Sequence, residues 1–196
     1  MWSPVVMVKL AVTRLWEYVE VRLQCRRMFC TKSSTSSQSW IPSLPGLIKC
    51  NVDACFSVES SVGEGGAIFR DYSSSIIQLV VFKPFPSSSV LVTEAVCLRR
   101  AISWAKSLHF LNVCFESDAK LLVDAVADDG NCSIKIASLI FDIKKALKVF
   151  PSATVSHVRR AGNRVAHALA SLSWDPMDSD WILPSVPPSI LDLAAQ

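Results

Sequence analysis

The sequence predicts an α/β domain built on a mixed five-stranded sheet with helices on both faces. Three observations predict it. Apolar, β-branched segments between residues 48 and 82 are separated only by short turns. From Val90 the apolar period changes from about two residues to about 3.6. Beyond residue 110, short apolar segments alternate with helical ones. Short turns between neighbouring strands give an antiparallel meander. Strands separated by helices pair in parallel through right-handed crossovers. The sheet therefore combines a three-strand meander with two parallel strands.

Each element follows from local signals. Trp40 to Gly46 is a Pro/Gly boundary where the folded part begins. Ile48–Phe56 alternates partly and reads as a strand, Ser57–Gly63 as a turn, and Gly65–Arg70 as a second strand. After a turn over Asp71–Ser75 comes a third strand, Ile76–Phe82, which Pro84 and Pro86 end. Val90–His109 carries Ala95, Leu98, Ala101, Ile102, Ala105 and Leu108 at helical spacing. Leu111–Phe115 is a short apolar strand that runs into Glu116-Ser117-Asp118. Helices follow over Ala119–Ala127, stopped by Asp128-Asp129-Gly130-Asn131, and over Ile134–Val149, broken by Pro151. Ala153–Val158 is the fifth strand. Asn163 is placed to cap a last helix that reaches about Trp174.

Composition divides the chain into a basic, partly disordered leader at 1–39, a domain at 40–175 and a Pro-rich acidic tail at 176–196. From Met1 to Gly46, six Lys/Arg face two acids, whereas the tail from Pro176 carries only Asp178, Asp180 and Asp192. Val5–Leu23 has the pattern of an amphipathic helix. Lys9, Arg14 and Glu17 interrupt any secretory core, while the acid-free, Ser/Thr-rich stretch Arg22–Ser39 suits an organelle transit peptide or, as preferred here, a disordered leader. With 51% hydrophobic residues, disorder over the whole chain is not expected. A net charge of +3 is too small to argue for a nucleic-acid partner by itself. The seven cysteines form no C-x-x-C pair, so reduced, mostly buried thiols are expected, in an intracellular protein of nucleus or cytoplasm. The chain has no long uncharged apolar run, so no membrane span is expected, and a monomer is.

Three acidic motifs stand in order: Asn51-Val52-Asp53-Ala54, Thr93-Glu94-Ala95 and Glu116-Ser117-Asp118-Ala119. Asp53 lies on the first strand between apolar neighbours, Asp118 ends the fourth strand, and Glu94 lies in the first turns of the intervening helix. If the first and fourth strands are neighbours, the three carboxylates meet at one end of the sheet. Packed acids raise one another's pKa unless cations neutralise them. Two Mg²⁺ ions would do so, and would activate a water and stabilise the leaving oxygen of a phosphoryl displacement. Separately, the acids read as a turn residue, a dipole-favoured helix acid and an N-cap. Their joint order is the informative part.

The segment from Trp40 to about Trp174 resembles the type 1 ribonuclease H fold. It is most similar to the plant branch of reverse-transcriptase-like proteins derived from non-LTR retroelements. The matching residues are Trp40-x-Pro42, Gly46 to Ala54, Gly65 to Asp71, Thr93-Glu94-Ala95, Glu116 to Ala119, and His157 to Ala170. The resemblance implies an endonuclease that cuts the RNA strand of RNA–DNA hybrids with two Mg²⁺ or Mn²⁺ ions. It makes Asp53, Glu94 and Asp118 the metal-binding acids. His167 falls where the family usually places a fourth acid, and Asn163 matches the Asn one turn earlier.

That departure weakens the expected second metal. Imidazole is a poor ligand for Mg²⁺ but an acceptable one for Mn²⁺, and it can also carry protons. Arg159, Arg160 and Arg164 make a basic cluster for phosphates. Gly65 and Gly66 offer a close backbone approach to a minor groove. The leading expectation is a hybrid ribonuclease of reduced activity, with Asp53, Glu94, Asp118 and His167 as its catalytic group. The alternative is a retroelement-derived domain of the same fold that binds nucleic acid or protein partners without cutting.

Overall fold

The computed structural model describes residues 40–128, 134–172, 179–183 and 186–194. The readings that fall on the leader, on the helix stop at 129–131 and on the helix end at Trp174 lie outside the described residues. The meander is β1 (Ile48–Ser57), β2 (Val62–Arg70) and β3 (Ile76–Pro86). Then come α1 (Val90–Ser107), β4 (Asn112–Ser117), α2 (Lys120–Ala127), α3 (Ala137–Leu147), β5 (Ser152–His157), a 3₁₀ turn (Arg160–Gly162) and α4 (Arg164–Ala170). The chain adds β6 (Trp181–Ile182) and α5 (Pro188–Ala194).

The sheet order is β5-β4-β1-β2-β3-β6. β1 pairs antiparallel with β2 and parallel with β4, and β5 joins β4 in parallel. The first and fourth strands are thus neighbours, as the acid constellation requires. The period-2 alternation of β1 to β3 sends side chains to two cores. Cys50, Val52, Ala67, Phe69, Val80 and Phe82 pack with α1, α2 and α3. Ile68, Leu79 and Val81 face α4 and the C-terminal residues.

Three details differ from the sequence reading. The sheet has six strands, not five, because Trp181 and Ile182 pair with Val81 and Val80 along the β3 edge. Asp180 anchors this segment by accepting from Lys83 N at 3.0 Å, Trp104 Nε1 at 3.0 Å and Arg100 at 3.2 Å. Leu183 and Ile190, both buried, complete the second core, so the segment read as a tail packs onto the sheet. A two-residue strand in a Pro-rich stretch has no periodicity to betray it. Secondly, β3 continues through Pro84 to Pro86. The β2–β3 register shifts between Gly63 and Gly65, so Pro84 sits at a bulge where no ladder donor is needed. Thirdly, α4 ends at Ala170, where Ser171 turns its hydroxyl back onto His167 O at 2.9 Å.

Candidate active site

Asp53 lies on β1 opposite Gly66 of β2, on the sheet face that α4 covers. Asp118 follows the end of β4. Glu94 comes from α1, whose start is fixed by Ser89 Oγ accepting from Val92 N at 3.3 Å. One carboxylate oxygen from each of the three acids lies within 4.8 Å of the others. Asp53 is 3% exposed and Glu94 7%, so the acids are crowded and poorly hydrated.

The crowding appears in their acidities. Burial, and then the Asp118 charge, push Asp53 up from 3.8 to about 6, while its bond to His167 pulls the other way. Burial, and then Asp53 and Asp118, push Glu94 up from 4.5 to about 9, with Arg160 opposing. Glu94 Oε2 is buried without a hydrogen-bond partner. Such an oxygen, beside two further carboxylates, is the donor set that hard divalent cations take. The residues present therefore fit a metal ion.

His167 joins the cluster from α4. Its Nδ1 lies 2.7 Å from Asp53 Oδ2, and its ring is about half exposed. Asn163, one turn earlier, is 1% exposed. It donates to Val52 O at 3.0 Å and to Asp118 Oδ1 at 3.4 Å. Its side chain makes no capping bond to α4. Asn163 therefore clamps the strands that carry the acids. Its Nδ2 is thus turned inward to the strands, while its Oδ1 is buried without a hydrogen-bond partner.

The two glycines lie under close packing. A Cβ on Gly65 would lie 2.3 Å from Cys97 Sγ and 2.8 Å from Asp53 O. On Gly66 it would lie 2.6 Å from Leu169 Cβ. Both are buried, and their lack of a side chain lets α1 and α4 lie close to β2.

The arginines lie outside. Arg159, Arg160 and Arg164 are exposed around the 3₁₀ turn. Arg160 and His167 line a cleft of about 430 Å³ together with the three acids and Lys120. A second cleft of about 370 Å³ runs on from the same two residues to Arg164 and Leu193. Lys120 had no sequence signal beyond its place in the first turn after Asp118. The cysteines agree with expectation in part: Cys50, Cys97 and Cys114 are buried free thiols, whereas Cys55 is exposed.

A mixed sheet of this order, with three acids from β1, α1 and the end of β4, defines a ribonuclease H-type domain. The chain belongs to the reverse transcriptase-like family, which matches residues 51–173. Solved structures share the fold. RNase H1 from the halophilic archaeon Halobacterium salinarum is 16% identical, with a TM-score of 0.59, over 63% of this chain and 93% of that one. The N-terminal RNase H domain of a Mycobacterium tuberculosis protein is 17% identical, with a TM-score of 0.57, over 63% and 95%. LC11-RNase H1, solved in complex with RNA/DNA hybrid, is 15% identical, with a TM-score of 0.56, over 62% and 92%. No curated protein matches the chain.

Proposed function

We propose that this domain binds RNA–DNA hybrids and cuts their RNA strand in a reaction that depends on Mg²⁺ or Mn²⁺. The observation that carries the proposal is the convergence of Asp53, Glu94 and Asp118 in an open cleft, with His167 bonded to Asp53. The fold shared with an RNase H1 solved on RNA/DNA hybrid supports the choice of substrate. A hybrid shows 2′-hydroxyls on one strand only, which lets a protein tell that strand from DNA.

Asp53, Glu94 and Asp118 would hold the cation, which supplies the Lewis acid that activates water and offsets charge on the leaving oxygen. Arg160, facing the same cleft, places positive charge where a phosphate would enter, and Arg159 and Arg164 extend it along the backbone. When Asp53 is ionised and the His167 ring is neutral, the tautomer with its proton on Nδ1 donates to Oδ2. Nε2 then holds a lone pair able to accept a proton. In this reading the chain works as a monomer inside the cell, where its thiols stay reduced. Among the described residues no helix is long and apolar enough to cross a membrane.

The test is cleavage of an end-labelled hybrid with Mg²⁺ and then Mn²⁺, comparing the parent with Asp53→Asn. Metal-dependent cleavage, stronger in Mn²⁺ and lost in the variant, is expected. Binding without cleavage by the parent would favour the second reading, a domain that holds nucleic acid without cutting it. The observation behind that reading is His167, a neutral or cationic ring in place of a fourth carboxylate. Failure to bind hybrid at low salt would count against both.

A further inference from the structure

A chain of buried polar groups crosses the sheet just upstream of the acids. Asn51, 0% exposed, donates from Nδ2 to Glu116 Oε2 at 2.9 Å and accepts the Arg70 guanidinium on Oδ1 at 2.7 Å. Glu116 Oε1 takes Lys49 Nζ at 2.7 Å. The Arg70 guanidinium lies 3.5 Å from the Trp40 ring centre, and Lys49 donates to Ile41 O at 2.7 Å. Side chains thus join β2, β1 and β4 on the rung where Asn51 pairs with Glu116. Asp53 follows Asn51 by two positions, and Asp118 follows Glu116 by two.

Stability alone does not explain such a chain. Buried ion pairs roughly break even with apolar packing, and their best-attested use is to fix register. Register matters here because it sets how Asp53 of β1 and Asp118 after β4 stand to each other in the cluster. The Asn51–Glu116 bond ties β1 and β4 together two residues before each of these acids. Asn163 spans the same two segments through Val52 O and Asp118.

We propose that Asn51 and Glu116 are positioning residues that hold Asp53 and Asp118 at the spacing a divalent cation requires. The inference rests on the metal-dependent reading above. The test is Mn²⁺ affinity by titration calorimetry on the full chain, with circular dichroism and melting curves confirming that each variant folds. Asn51→Ser and Glu116→Ala lose about tenfold or more in affinity, the scale on which groups that orient metal ligands act. Glu116→Gln, which keeps an oxygen for Asn51, recovers affinity to within about threefold of the parent, well inside that scale. Ile143→Ala, a core truncation with no link to the acids, lowers the melting temperature and leaves affinity unchanged. Parent-like affinity in Asn51→Ser and Glu116→Ala overturns the proposal, as does an equal loss in Ile143→Ala. A parent that binds no Mn²⁺ removes the metal-dependent reading and the positioning role together.

Discussion

His167 and Glu94 show how single residues tune the cluster. His167 accounts for Asp53 with one 2.7 Å contact but brings no negative charge. We expect His167→Asp to raise Mg²⁺-dependent cleavage of hybrid by on the order of tenfold, the scale of a restored ligand contact. Unchanged or lower rates would show that the histidine is itself part of the working site. Glu94 makes a prediction about pH. Its pKa is about 9 in the folded chain against 4.5 ordinarily. Between those values the folded state binds more protons than the unfolded one, so this contribution to stability is greatest below about 4.5 and declines as pH rises toward 9. Asp53 acts in the same direction between 3.8 and about 6. The groups facing Glu94 are Asp53 and Asp118, which enlarge the effect, and Arg160, which reduces it. Melting curves of metal-free protein at pH 5, 7 and 9 should fall with pH for the parent and less steeply for Glu94→Gln. The variant should melt higher than the parent at pH 8. Parallel slopes would mean that Glu94 is not held in its protonated form.

At the scale of elements, the close approach of α4 to β2 delivers His167 and Asn163. Gly66 permits it, since any Cβ there meets Leu169 Cβ at 2.6 Å. Gly66→Ala should cost about 1–3 kcal/mol through overpacking and lower activity as α4 shifts from the acids. A variant as stable as the parent would refute the tight contact. The sixth strand is a second element worth testing. Asp180→Ala leaves the Trp104 and Arg100 donors and the Lys83 amide without their carboxylate, at a cost of about 1–3 kcal/mol. Truncation before residue 179 goes further, baring the β3 edge and the apolar side chains Leu79 and Val81. Sedimentation of that shortened chain should show self-association, the common fate of an open sheet edge. The helices and meander were legible because their periodicity spans several turns or pairs. β6, α5 and the end of α4 were not, because tertiary contacts rather than pattern set them.

For the molecule as a whole, the acids form a strained cluster that the rest of the fold holds together. Two cores, one beneath α1 to α3 and one beneath α4 and α5, press on opposite faces of the same sheet. A ligand that relieves the repulsion must stabilise the entire fold by mass action. Mn²⁺ at a hundred times its Kd should add about 2.7 kcal/mol, or roughly 5–10 °C in melting temperature for a domain of this size. Asp53→Asn should lose most of that shift. An equal shift in parent and variant would place the ion elsewhere.

The sequence by itself determined the order of elements, the antiparallel meander with its parallel extension, and Asp53, Glu94 and Asp118 as one constellation. Local periodicity carries the elements, while the three acids stood out by their order along the chain and by the resemblance that order supports. Only the tertiary structure decided what surrounds them. It showed Gly65 and Gly66 filled by Cys97 and Leu169, Asn163 turned inward to Val52 and Asp118, and Asn51 bonded to Glu116 across two strands. Those roles depend on which elements lie within a few ångströms of one another. Distance across a sheet is set by packing between residues far apart in the chain, and no local pattern records it.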